Sequence, residues 1–164
     1  MARVIWNTIA LIMFRPFSSR LFKKWRVLVL KCFGAEIEWS SHVYASAKIW
    51  APWNLEIGAN SSLGPKVDCY NQGKITIGSN TVISQKAYLC ASSHDYTKRD
   101  FPLILKPITI GNGVWIAADA YIGPGVTIRN HAVIAARSVV VKNVEEKSIV
   151  GGNPAKQIKT RSNE

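Results

Sequence analysis

Residues 108–143 read ITIGNG VWIAAD AYIGPG VTIRNH AVIAAR SVVVKN, six hexapeptides without a slip. Their third positions are Ile110, Ile116, Ile122, Ile128, Ile134 and Val140. Their first positions, from Ile108 to Ser138, are all small or β-branched. The frame runs earlier through Ile75–Ile77, Thr81–Ile83 and Ala87–Leu89. Displaced by two residues, it recurs from Ile37–Trp39 through Val67–Cys69, giving fifteen third positions, all apolar. A period of six is neither 3.6 nor 2, so a lone helix or flat strand does not explain it. Ordinary half-buried strands do not hold one period across turns. The pattern predicts an all-β solenoid, a parallel β-helix with three short faces per turn. Residues one and three of each unit point inward and residue two outward. Fifteen units make about five turns, on the order of 24 Å of prism. Gly58, Gly64, Gly78, Gly111 and Gly123 directly follow an inward residue, where a corner of positive φ is expected.

Two insertions break the frame: two residues around Asn71–Lys74, and fifteen within Cys90–Pro107 that carry SSHDYTKRDF. A long excursion from a regular solenoid is usually functional or a flexible accident. Residues 1–34 have helical character with a break at Pro16–Ser19, and Trp25, Leu28, Val29 and Cys32 share one helical face. They read as a cap on the solenoid end, as a basic amphipathic segment on an anionic membrane, or as both. The expected organisation is a helical segment over 1–34, a β-helix over 35–144 with loop 90–107, and a basic tail over 145–164 with a turn at Gly151–Pro154.

The chain of 164 residues and 18.2 kDa suits one domain. With 48% hydrophobic and 19% charged residues it can bury a core. No apolar run approaches the roughly 20 residues of a membrane span. The stretch Val4–Phe14 is interrupted by Asn7 and Thr8, and no small-residue cleavage site follows it. Cys32, Cys69 and Cys90 offer neither a disulfide framework nor a zinc knuckle, so a reduced, cytoplasmic protein is expected. The net charge is +11. Arg3, Arg15, Arg20, Lys23, Lys24, Arg26 and Lys31 precede the first acid. Such a surface could meet nucleic acid, an anionic membrane or a phosphate-rich cofactor. No aromatic–basic interleaving supports nucleic acid.

The hexapeptides, the His-bearing excursion and the ending GGNPAKQIK resemble the hexapeptide-repeat acyltransferases. More narrowly, APWNLEIG, DCYN, ISQKAYLCASSHDY, WIAADAYIGPGVTI and GGNPAK resemble the acetyltransferases of colanic acid and related exopolysaccharide biosynthesis, over about residues 34–160. The resemblance implies a left-handed β-helix, acetyl-CoA as acyl donor, a homotrimer with sites between neighbouring coils, and His94 as general base. A neutral imidazole near pKa 6.5 suits proton removal from an attacking hydroxyl at neutral pH. His42 and His131 fall at corners and read as solvated turns. Asp95 could orient His94 or could be ordinary turn chemistry.

The resemblance also places cofactor contacts on Ala118 and Ala136, with Lys142, Lys156 and Lys159 near the phosphates. Lys gives point-charge rather than bidentate contacts. Trp115 points outward and either shapes the cofactor groove or meets another subunit. Small-sugar acetyltransferases place an Asn and an Asp where this chain has Gly64 and Gln72, so that recognition is not carried over. Asp68, Tyr70 and Asn71, about one turn before the His94 loop, are acceptor candidates; a bulged corner is the plain alternative. Zinc carbonic anhydrases share the fold but need three His from neighbouring turns and a close pair. His42, His94 and His131 supply no such pair, so no metal is expected. No residues remain for a nucleotidyltransferase domain. The expected activity is direct acetyl transfer to a sugar hydroxyl of an exopolysaccharide repeat unit, with a lipid carrier displaying it at the inner membrane face. A small soluble sugar or xenobiotic acceptor, and a non-catalytic solenoid, are the alternatives.

Overall fold

The computed structural model describes residues 2–162. Three parallel sheets wrap a prism. The first face stacks Glu36–Ile37, Leu55–Ile57, Ile75–Ile77, Ile108–Ile110 and Thr127–Ile128. The second stacks His42–Val43, Ser62–Leu63, Val82–Ile83, Trp115–Ile116, Val133–Ile134 and Ser148–Gly152. The third stacks Lys48–Ile49, Asp68–Tyr70, Tyr88–Cys90, Tyr121–Ile122 and Val139–Val140. The prism has about six turns rather than five: five are complete, and Val144, bridged to Ile128, and Ser148–Gly152 begin a sixth. Ala155–Thr160 then returns antiparallel along the second face, so the tail is a β-hairpin.

Register measures each turn. Thr109 pairs with Thr127, Trp115 with Val133 and Tyr121 with Val139, eighteen residues on, which is three hexapeptides. Ile75 pairs with Ile108, thirty-three on, because the excursion adds fifteen. Ile37 pairs with Ile57 and Leu55 with Ile75, both twenty on, so the first turn carries a two-residue insertion as well. It is the short 3₁₀ turn Pro52–Asn54. This corrects the frame of the first three units. Ile37, Val43 and Ile49 are the inward third residues, while Trp39 stands exposed at a corner. The inward positions form one continuous column of buried Ile, Val, Leu and Ala. Burying each large aliphatic contributes about 1.5–3 kcal/mol.

The corner glycines work differently from the expectation. Positive φ falls on the sixth residue of the unit: Asn60, Lys66, Asn80, Lys86, Gly113, Asp119, Gly125, His131 and Arg137. The fourth-position glycines are needed for clearance. A Cβ on Gly78 would lie 2.7 Å from the Gly111 backbone of the next turn.

Helix α1 (Ala2–Ile9) continues as a π-helical turn over Ala10–Phe14, and Pro16 ends it. Helix α2 (Lys23–Cys32) follows a 3₁₀ turn at Arg20–Phe22. The two close the lower end of the prism. Trp6 and Phe14 are buried, and the Trp6 indole donates to the Ile49 carbonyl at 2.8 Å. The buried positions of α2 are Arg26, Val27, Val29 and Leu30, whereas Leu28 and Cys32 are exposed. The expected face was rotated because Arg26 is drawn inward. Its guanidinium donates to the carbonyls of Val43, Phe17 and Ser19 and contacts His42 Nε2 at 3.0 Å. His42 is therefore no solvated corner. It lies on a strand, stacked on Tyr44.

Candidate functional site

The excursion is a β-hairpin, Ser92–His94 paired antiparallel with Leu103–Leu105. It projects from the corner between the third and first faces. Its base is clamped where Lys106 N–H donates to the Ala91 carbonyl at 2.9 Å and Ala91 N–H to the Tyr70 carbonyl at 3.1 Å. His94 ends the first strand and is exposed. Its Nδ1 lies 2.5 Å from the Phe101 carbonyl oxygen. A carbonyl only accepts, so Nδ1 carries a proton, and in the neutral imidazole the lone pair is then on Nε2. Phe101 has φ +44, a left-handed conformation uncommon for a bulky residue, and it turns that carbonyl toward the imidazole.

Asp95 does not orient His94. Its Oδ1 accepts from Thr97 N–H at 3.1 Å and Thr97 Oγ1 at 2.6 Å, an Asx turn at the hairpin tip. Those two bonds hold its carboxyl below the usual range. Asn71 is also spoken for. It is fully buried, its Oδ1 accepts from Trp50 and Ala51 N–H, and its Nδ2 donates to the Ala51 carbonyl. It braces the insertion corner and offers no free group to an acceptor.

Asp68 and Tyr70 stand half-buried on the outer side of the third face. Asp68 sits 3.6 Å from Lys48. Tyr70 belongs to a ladder of edge-on rings, Trp50–Tyr70–Tyr88–Tyr121, with centroids 4.6, 6.3 and 5.5 Å apart. Burial pushes the Tyr121 phenol up to about 12, and Tyr88 is raised for the same reason, so both stay protonated donors. Burial likewise raises the Cys69 thiol far above the range of a nucleophile.

The other edge of the third face is lined by small residues. Ala117 and Ala118 stack below Ala135 and Ala136, and a Cβ on Gly151 would lie 3.2 Å from the Ala135 Cβ. Among the described residues the backbone N–H groups of Ala118 and Ala136 have no hydrogen-bond partner. Lys156 and Lys159 lie on the adjacent return strand, opposite Gly151 and Ile149, and are exposed. Trp115 is 51% exposed on the second face, its indole donating to Ser84 Oγ at 3.0 Å. Lys142 is exposed at the corner between the third and first faces, the corner that also bears the His94 hairpin two turns earlier. One chain thus gathers Ala118, Ala136, Lys156 and Lys159 on one edge and His94 with Lys142 on another.

The sequence reading missed Phe101, the ring ladder and the insertion at Pro52–Asn54. The ladder had a signal, since Trp50 and Tyr70 are one turn of twenty residues apart. Among the described residues no group of His, Cys, Asp and Glu could hold a metal ion.

Comparisons with known proteins agree with this architecture. The bacterial transferase hexapeptide (six repeats) family model matches residues 107–142. WcaF of Escherichia coli (strain K12), an acetyltransferase named for colanic acid biosynthesis, is 41% identical over 144 residues, 88% of this chain and 79% of the relative. Galactoside O-acetyltransferase of the same strain is 32% identical over 109 residues, 65% of this chain and 54% of that protein. The crystal structure of a hexapeptide-repeat acetyltransferase of Vibrio cholerae in complex with acetyl-CoA superposes with a TM-score of 0.84 at 26% identity, covering 99% of this chain and 88% of that one. The chain belongs to the hexapeptide-repeat acetyltransferases.

Proposed function

We propose that this protein transfers an acetyl group from acetyl-CoA to a sugar hydroxyl, with His94 as the general base. The observation that carries the reading is the His94 Nδ1–H bond to the Phe101 carbonyl. It leaves a basic Nε2 on an exposed hairpin of an acetyltransferase β-helix. The acceptor hydroxyl gives its proton to Nε2 while its oxygen attacks the donor's carbonyl carbon. The imidazolium then returns the proton to the departing thiolate. Transfer is direct in this reading: the Cys69 thiol is buried and held protonated, and the Cys90 thiol is engaged with the Ser92 carbonyl.

Acetyl-CoA supplies the activated thioester, and the residues present fit it. The Ala118–Ala136 shelf lets an extended amide chain approach unpaired backbone N–H groups, and Lys156 and Lys159 place cations beside the shelf. Lys142 serves the same donor from a neighbouring copy. The active unit is a homotrimer in this reading, since the base and the shelf lie on different edges of one prism. Val82, Trp115, Val133 and Ile149 form an uncharged stripe in register on the second face that a second copy would cover. The acceptor is a sugar of an exopolysaccharide unit, a reading supported by the similarity to WcaF. Asp68 and Tyr70 are its contacts.

No helix among the described residues is long and apolar enough to cross a membrane. The outer side of the helical cap exposes Val4, Ile5, Leu11, Ile12 and Leu21 beside Arg15, Arg20, Lys23 and Lys24, and in this reading it rests on an anionic membrane face.

The test is acetyl transfer to a panel of sugars. His94→Ala is expected to lose at least ~10²-fold in kcat while still binding acetyl-CoA. A correctly folded wild type that neither binds acetyl-CoA nor transfers would leave a non-catalytic solenoid in its place.

A further inference from the structure

A cleft of about 580 Å³ opens between the α1 arm and the third face. Its floor is the ring ladder, with Trp50, Tyr70 and Tyr88, and its rim carries Arg3, Arg15, Lys48 and Asp68. Lys48 and Asp68 face each other, which leaves two arginines in excess. Among the described residues neither Arg3 nor Arg15 has a carboxylate partner. The Arg3 guanidinium lies over the Trp50 ring, and its Nε is buried without a hydrogen-bond partner. Partial burial lowers its pKa, with the nearby Tyr70 acting the other way. A second basic hollow continues past Arg15 and Lys48 to Lys66. Tyr88 in the floor begins the strand Tyr88–Cys90 that leads directly into the His94 hairpin.

We propose that this cleft binds the acceptor and that the acceptor is an anionic saccharide. Its ring lies on the Tyr70–Tyr88 ladder, and its acidic group is held by Arg3 and Arg15. The inference rests on the acetyl-transfer reading for the word acceptor, though the cleft's preference for anions stands on its own geometry. Flat aromatic faces suit the C–H faces of a sugar, and guanidinium forks suit carboxylate or phosphate oxygens. An acid at this place would accept from the guanidinium groups on the rim and offset the Arg3 charge that no carboxylate among the described residues pairs. A uronic acid and a sugar phosphate share this chemistry.

The experiment is an NMR titration of the full chain, without acetyl-CoA, with glucuronic acid, glucose 1-phosphate and glucose. At least one anion is expected to bind about tenfold or more tightly than glucose. The tighter of the two identifies the acidic group as carboxylate or phosphate. High salt should weaken that advantage. Arg3→Gln and Arg15→Gln should each reduce it toward the level of glucose, while Arg129→Gln, the same charge loss on the first face, should preserve it. Should Arg3→Gln disturb the packing of α1, Arg15→Gln and Lys48→Gln, both at exposed positions, carry the test. Equal binding of the three sugars overturns the proposal, as does a preference that survives the Arg15→Gln/Lys48→Gln pair. A protein that prefers anions but never transfers acetyl groups would sink the transferase reading alone. One that acetylates neutral sugars without any preference for anions would sink the cleft alone.

Discussion

At His94 one hydrogen bond sets the tautomer that the proposed base would use. With Nδ1–H committed to the Phe101 carbonyl, the imidazole presents its lone pair outward. The neighbouring Asp95 serves the hairpin tip through Thr97. Asp95→Asn keeps an oxygen for Thr97 and removes the charge, so kcat should fall by less than about tenfold. The pH profile of kcat/KM should keep its shape. A loss as large as that of His94→Ala, with a displaced profile, would make Asp95 a partner of the base. His94 was singled out in the chain by family resemblance, and its role stays a proposal. Phe101 was not, because its role is a backbone carbonyl set by φ, and carbonyls leave no trace in residue identity.

Among the elements, the corners and the cap carry the clearest consequences. Gly78 abuts the next turn so closely that Gly78→Ala must shift backbone against backbone. A loss of about 1–3 kcal/mol in denaturant unfolding is expected. A variant as stable as wild type would show the corner to be loose. In the cap, the His42 imidazole is held below its ordinary value by burial and then by Arg26, Arg20 and Lys23, with Tyr44 stacked on it. The unfolded chain takes up that proton near pH 6.5, so between the two values it binds more protons than the folded one. The contribution is therefore complete above about pH 6.5 and is lost as pH falls through the folded-state value. Tm should drop between about pH 7.5 and pH 5, and less so in His42→Gln, which keeps an acceptor for Arg26. An equal drop in the variant would place the acid sensitivity elsewhere. The first turn was misframed for a related reason. Both residue one and residue three of a unit are apolar, so a slip of two leaves Ile37, Val43 and Ile49 on inward positions, and buried corner alanines Ala45 and Ala51 complete the false frame.

For the molecule as a whole, the second face poses the test. If the stripe Val82–Trp115–Val133–Ile149 meets another copy, wild type sediments as a trimer. Trp115→Lys should then shift it toward monomers and lower transfer. A wild type that stays monomeric at working concentration would sink the shared-site reading. The sequence by itself determined the prism, its three faces, the size of the upper turns and the place of the excursion. These follow from which side chains must leave water, and that pattern repeats along the chain. Only the tertiary structure decided which partner orients His94, that Asn71 is structural, and that Arg26 enters the cap. It alone decided that Arg3 and Arg15 overhang a ladder of rings. Each depends on contacts between residues far apart in the chain, whose cost or benefit appears only when the turns are stacked.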